Sequence, residues 1–206
     1  MKVYHIFCFL FCTLSLSVSA QDNSDDTEAI YPTKGDHELS VSLGLYTSNI
    51  TEDGFGTLEG TNYLRKLGAA ISYDAYLSKT WSIKGRLNYD PKGFKTFFYN
   101  LNVNYITVAG MANWHFGKRK RWYLQFGPYI GYNISESTDP AIINFEGVKS
   151  TDFGLNLGIG VKIPIGGQMF YLESDGQTPF VEPFSDDGTD AREIIVRNSL
   201  SIGILF

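Results

Sequence analysis

Proton transfer at neutral pH falls first to histidine, and past its first twenty residues this 206-residue chain carries two, His37 and His115. Hydrolysis or acyl transfer needs such a base within reach of a nucleophile or a carboxylate. These two sit at the ends of separate alternating segments, so the expectation is polar end residues and no catalytic centre. Asp186-Asp187-Gly188-Thr189-Asp190 gathers carboxylates of the kind that hold calcium, yet lacks the full EF-hand loop pattern. It reads as a solvated loop, and no metal or cofactor is expected. Lys118-Arg119-Lys120-Arg121 is a compact basic run; it reads as a charged turn, with contact to acidic groups as the alternative. Both cysteines, Cys8 and Cys12, precede residue 20, which leaves the remainder without disulfide or thiolate chemistry. A net charge of −5 at pH 7 speaks against nucleic acid as a partner.

More chemistry lies in charges spaced at even intervals among small residues. Lys84, Arg86, Lys162 and Arg197, with Asp74, Asp152 and Glu173, all fall on the polar face of their segments. Ions taken out of water must be paired or hydrated. This set therefore reads as a lumen charge network zipped through a narrow interior, with a conducting pathway as the alternative. If Leu77 opposes Trp81 across the turn Ser78-Lys79-Thr80, then Asp74 faces Lys84 and Ser72 faces Arg86.

The elements that must position these charges are strands. Eight segments alternate apolar and polar residues at a period of two. They run from about His37 to Ser48, Tyr63 to Leu77, Trp81 to Tyr89, Phe98 to Phe116, Trp122 to Ile134, Thr151 to Ile163, Gln168 to Asp175 and Ile194 to Phe206. Their polar face is mostly Gly, Ser, Ala, Asn and Tyr, unlike the Lys and Glu of a solvated sheet. Connections at 49–62, 90–97, 135–150 and 176–193 read as long loops, and those at 78–80, 117–121 and 164–167 as tight turns. No apolar run beyond the first twenty residues is long enough for a helical span. The pattern predicts an all-β fold, an eight-stranded antiparallel up-and-down transmembrane β-barrel. Trp81, Trp114 and Trp122 fall at the tight-turn ends of their strands on the apolar face, with Tyr89 and Tyr132 towards the opposite ends, as an interfacial aromatic girdle requires.

Residues 1–20 read as a secretory signal: Lys2 opens it, Ile6 to Leu16 is apolar, and Ser17-Val18-Ser19-Ala20 offers a small-residue cleavage site before Gln21. Residues 21–36 read as a flexible periplasmic lead-in, and 37–206 as the barrel. The chain closes on Leu200, Ile202, Ile204 and Phe206 alternating with small polar residues. An even strand number puts both termini in the periplasm of a Gram-negative cell.

Several stretches carry a resemblance: Tyr89-Asp90-Pro91-Lys92-Gly93, Asn104-Tyr105-Ile106 through Trp122-Tyr123-Leu124, and Gly127-Pro128-Tyr129-Ile130-Gly131-Tyr132. Asp152-Phe153-Gly154-Leu155 with Gly158-Ile159-Gly160, and Arg197-Asn198-Ser199-Leu200 to Phe206, belong with them. Together they resemble the small outer-membrane β-barrels of the OmpA/OmpX-like eight-stranded kind and, more narrowly, the PorT-like barrel domain common in Bacteroidota. Each piece is degenerate, and Tyr105-Ile106-Thr107-Val108-Ala109 lacks the acidic residue and proline often found in that family's fourth strand. The resemblance implies outer-membrane lipid around the barrel and the barrel assembly machinery as a partner, with Leu200, Ile202, Ile204 and Phe206 as the assembly signal. It implies fold and location and little about activity; the long loops are the surface open to an extracellular ligand. The expected role is non-enzymatic, either structural or loop-mediated binding. The alternative is a narrow porin-like channel or an accessory of protein export; histidine placement weighs against a lipid-modifying enzyme.

Overall fold

The structure, a computed structural model, describes residues 32–52, 59–139, 147–184 and 193–206. The signal, most of the lead-in and the Asp186–Asp190 stretch lie outside the described residues. Eight strands follow one another: β1 His37–Glu52, β2 Asn62–Tyr76, β3 Trp81–Lys95, β4 Asn100–Phe116, β5 Trp122–Asp139, β6 Thr151–Ile165, β7 Gln168–Pro179 and β8 Glu193–Leu205. Each pairs antiparallel with its chain neighbours, and β8 closes on β1 into a barrel. Followed from His37 through Ala75, Ile83, Ala112, Phe126, Leu157, Gly176 and Asn198, the ladder returns to β1 at Thr47, ten residues from its start. With strands about 4.8 Å apart, that offset means a tilt of about 40° and an interior that side chains fill.

Alternation decides the faces. On β1, Leu39, Val41, Leu43 and Leu45 are exposed outward, while Ser40, Ser42 and Tyr46 are buried inward. Inside, large rings need small partners. A Cβ on Gly160 would lie 2.2 Å from the Tyr123 ring, and one on Gly203 2.3 Å from the Tyr171 ring. The register sets each tyrosine opposite its glycine.

Several strands run further than their alternation suggests, and one supposed loop is mostly strand. Residues 90–95 continue β3 and pair with Asn100 to Tyr105 of β4. The chain then turns over 96–99, where Thr96 Oγ1 accepts from the N–H groups of Phe98 (3.2 Å) and Tyr99 (3.0 Å). Pro91 is tolerated because it falls where the β2–β3 ladder breaks, between Tyr63/Phe94 and Ala69/Tyr89. Gly93 has φ 142°, and a Cβ there would meet the Leu101 carbonyl oxygen at 2.0 Å. At this kink β3 turns into the lumen. Asp90 through Phe94 are all buried, and Ser48 Oγ of β1 donates to the Gly93 carbonyl at 2.7 Å across the interior. β1, β5 and β7 likewise extend to Glu52, Asp139 and Pro179, which shortens the loops expected after them.

Trp81 pairs with Trp114 and Phe116 with Trp122, so the tryptophans share one rim. Tyr89 pairs with Ile106, and Ile106 with Tyr132, which puts both tyrosines at one level. Eight steps of β3 separate Trp81 from Tyr89, about 26 Å along the strand and about 20 Å along the barrel axis, close to the thickness of an outer-membrane apolar band. Tyr63 pairs with Phe94 and stands beyond the tyrosine level.

Candidate functional site

The inward positions carry the polar chemistry, and they stack in tiers. At the tight-turn end Lys162 Nζ contacts both the Glu38 carboxylate and the Tyr76 hydroxyl, and Tyr76 donates to Glu38 at 2.7 Å. Asp74 accepts from Ser82 Oγ (3.0 Å) and Asn113 Nδ2 (2.6 Å). In the next tier Lys84 lies between Asp74 (3.7 Å) and Glu173 (3.3 Å), above the Tyr123 ring at 4.7 Å. Arg86 pairs with Glu173 and reaches Asp175 at 3.7 Å and Ser72 at 3.3 Å. The register places Asp74 opposite Lys84 and Ser72 opposite Arg86.

Above these, Arg197 spans Asp90 (3.1 Å) and Asp175 (2.9 Å) and stacks over Tyr46 at 4.6 Å. Lys92 holds Asp152 at 2.5 Å and Asp90 at 3.7 Å, over the Tyr129 ring. Arg197 is 1% exposed and Asp90 0%. A charge so buried is stable only with its partners in place. The loop end is then sealed by apolar side chains. Ile50, Phe94, Leu101, Val103, Tyr105 and Ile195 form a buried cluster, with Tyr99, Val148 and Phe184 packed on it. Among the described residues, one void of about 10 Å³ lies between Ser40, Asp74, Asn113, His115 and Lys162 and another beside Lys92 and Asp152; each is on the scale of a single water.

All seven charges singled out from the sequence, Asp74, Lys84, Arg86, Asp152, Lys162, Glu173 and Arg197, point inward and are buried. Sequence reasoning missed Glu38, Asp90, Lys92 and Asp175. Parity would have found them, since Asp90 and Lys92 continue the even-numbered inward row of β3, and Asp175 follows Glu173 by two. Pro91 and Gly93 masked that signal by reading as a loop.

His115 is not an end residue exposed at an interface. It is buried inward between the Tyr76 and Tyr123 rings, and its Nε2 lies 2.9 Å from Ser82 Oγ. Ser82 also touches Asp74, so a serine, a histidine and a carboxylate do meet. Their order is wrong for nucleophilic catalysis, which needs the imidazole between serine and carboxylate. Here the carboxylate contacts the serine, His115 Nδ1 has no hydrogen-bond partner among the described residues, and the adjoining void has room for about one water. His37 is far from this group in kind: it is exposed and stacks on Tyr73 with ring centroids 5.5 Å apart.

The outward sites are simpler. Trp81 and Trp114 are half-exposed, and Trp114 stacks on Phe116. Tyr89 and Tyr132 are exposed at the other level, and Tyr89 donates to Asn104. Leu200, Ile202 and Phe206 are exposed on the outer face, with Ile204 partly covered. Phe206 adds a rung to the closing seam: its N–H donates to the Leu39 carbonyl (2.8 Å) and its carbonyl accepts from Leu39 (3.3 Å). Lys118 and Arg119 are exposed in the β4–β5 turn. At the hairpin tip beyond the tyrosines, Phe97 and Phe98 are 92% and 79% exposed and pack edge to face. Among the described residues no group of three metal-ligating side chains converges.

Residues 8–193 match the family model described as "Outer membrane protein beta-barrel domain". Among solved structures the chain is similar to the outer membrane protein OprG from Pseudomonas aeruginosa, at 12% identity over 84% of this chain and 98% of that one, with a TM-score of 0.48. It is also similar to Ail, the attachment invasion locus protein of Yersinia pestis, at 14% identity over 84% and 100%, TM-score 0.44. Neisserial surface protein A is similar at 11% identity over 81% and 95%, TM-score 0.45. No curated protein sequence matches the chain.

Proposed function

This chain belongs to the outer membrane protein beta-barrel domain family, and we propose that it is a non-enzymatic, non-conducting member that anchors a binding surface outside the membrane. The observation that carries this reading is the filled lumen. Five cations and six carboxylates interlock along it, and an apolar cluster caps the loop end. A solute would have to break paired buried ions at every tier. What is left to meet a ligand is the outer surface, above all the β3–β4 hairpin. Its tip stands about 15 Å beyond the tyrosine level, by the rise of six more tilted residues to Lys95, and holds Phe97 and Phe98 out to water.

In this reading residues 1–20 are removed on export, both termini lie in the periplasm, and the assembly machinery recognises the strand ending at Phe206. Single-channel recording on the protein in planar bilayers tests the closed lumen: a silent membrane is expected, and stepwise currents abolished by Arg197→Met would overturn it. Phe97→Ser with Phe98→Ser tests the surface. The doubly substituted protein is expected to fold as before and to lose attachment of whole cells to a coated surface, relative to cells bearing the unaltered chain.

A further inference from the structure

We propose that the β4–β5 turn is a docking site for anionic phospholipid headgroups. The strands on either side end in an aromatic rim, Phe116 paired with Trp122 and Trp114 with Trp81. Aromatic belts sit at headgroup level, so a turn that leaves them, away from the apolar band, enters the phosphate layer. This turn reads Gly117-Lys118-Arg119-Lys120-Arg121, four cations in succession with no acid among them. Its shape is held by Lys120 N–H donating to the Gly117 carbonyl at 3.2 Å, with Lys120 itself at φ 48°. Lys162 N–H donates to the Arg121 carbonyl at 2.9 Å and ties the turn to β6. The neighbouring β2–β3 turn adds Lys79, also exposed, beside Trp81. The tryptophans and the turn cations thus occupy one arc of the rim. Zwitterionic headgroups carry their own counter-charge, whereas a headgroup with a bare phosphate gains from each cation it meets. That gain is on the order of fivefold in local concentration per engaged Lys or Arg.

The chain's three tryptophans are all on this arc, so their fluorescence reports the lipid beside it. The protein is reconstituted in phosphatidylcholine vesicles with a fraction of brominated phosphatidylglycerol or, in parallel, brominated phosphatidylcholine. Brominated phosphatidylglycerol is expected to quench with a relative association constant at least about fivefold higher. The preference should vanish in the variant carrying Arg119→Gln, Lys120→Gln and Arg121→Gln, whose gel mobility before and after boiling verifies its fold. Equal quenching by the two lipids overturns the proposal, as does a preference that survives in the variant. Inorganic phosphate that erases the preference where sodium chloride of equal ionic strength does not would mark a free-anion site, and overturns it too.

Discussion

Lys84→Met removes an ammonium that stands 3.3 Å from Glu173 and 3.7 Å from Asp74. At an effective dielectric of about 20, each contact represents about 4–5 kcal/mol of attraction. Against them stand the several kcal/mol needed to strip water from an ammonium, and repulsion from Arg86. The carboxylates left behind are not abandoned: Glu173 keeps Arg86 and Tyr123, and Asp74 keeps Ser82 and Asn113. The expected loss is therefore about 3 kcal/mol, at the low end for breaking a buried pair. Asp74→Asn keeps an acceptor for Ser82 and Asn113 and leaves Lys84 with Glu173, so it should cost about 1 kcal/mol. The double variant is expected to fall short of the summed losses by at least about 1 kcal/mol, because each change removes part of what the other would orphan. Urea unfolding in lipid vesicles, followed through the tryptophans, measures all four proteins. Losses that add within about 0.3 kcal/mol would refute the reasoning, and would mean that water separates the pair.

Gly203→Ala should destabilise the barrel by about 1–3 kcal/mol, since the new methyl would overlap the Tyr171 ring; Tyr171→Leu should restore part of that, read in the same unfolding assay. Phe206→Asp puts a charge on the lipid face beside the seam, and should lower the fraction of chain that reaches the membrane in heat-shifted, folded form on a cold gel. Loops of normal surface exposure in that variant would contradict the role of the last strand. Mass spectrometry of the membrane-borne protein should find Gln21 as its first residue.

The faces of the sheet were legible from the sequence because a period of two leaves no choice once one side is apolar. Register at the β2–β3 hairpin followed from its tight turn, which alone fixes Asp74 against Lys84. What was masked was the stretch Asp90-Pro91-Lys92-Gly93, although Asp90 and Lys92 keep the inward parity of β3. Proline and glycine lower the strand signal locally, and only the break in the β2–β3 ladder makes room for them. The apolar cap was hidden for a different reason. Phe94, Leu101 and Val103 sit on the inward rows, where the rule of small and polar residues holds only as far as the membrane extends. His115 was misplaced because nothing in its neighbourhood announces that two tyrosines and a serine from other strands surround it.

Arg86 and Lys84 on β3 meet Glu173 on β7, and Arg197 on β8 meets Asp90 on β3. These strands are never neighbours in the wall. No hairpin, and no sheet built from the first six strands, contains both halves of these pairs. Glu173, Asp175 and Arg197 meet their partners only when the last two strands arrive, whereas Lys84–Asp74, Lys92–Asp152 and Lys162–Glu38 lie within the first six. A sheet that stops at β6 leaves Arg86 without the carboxylates of Glu173 and Asp175. Opening the closed barrel must separate these cross-lumen contacts, and contacts that form after a folding transition state slow unfolding. The cross-lumen pairs therefore tie the last two strands to the third through the interior, where the wall itself gives them no shared edge.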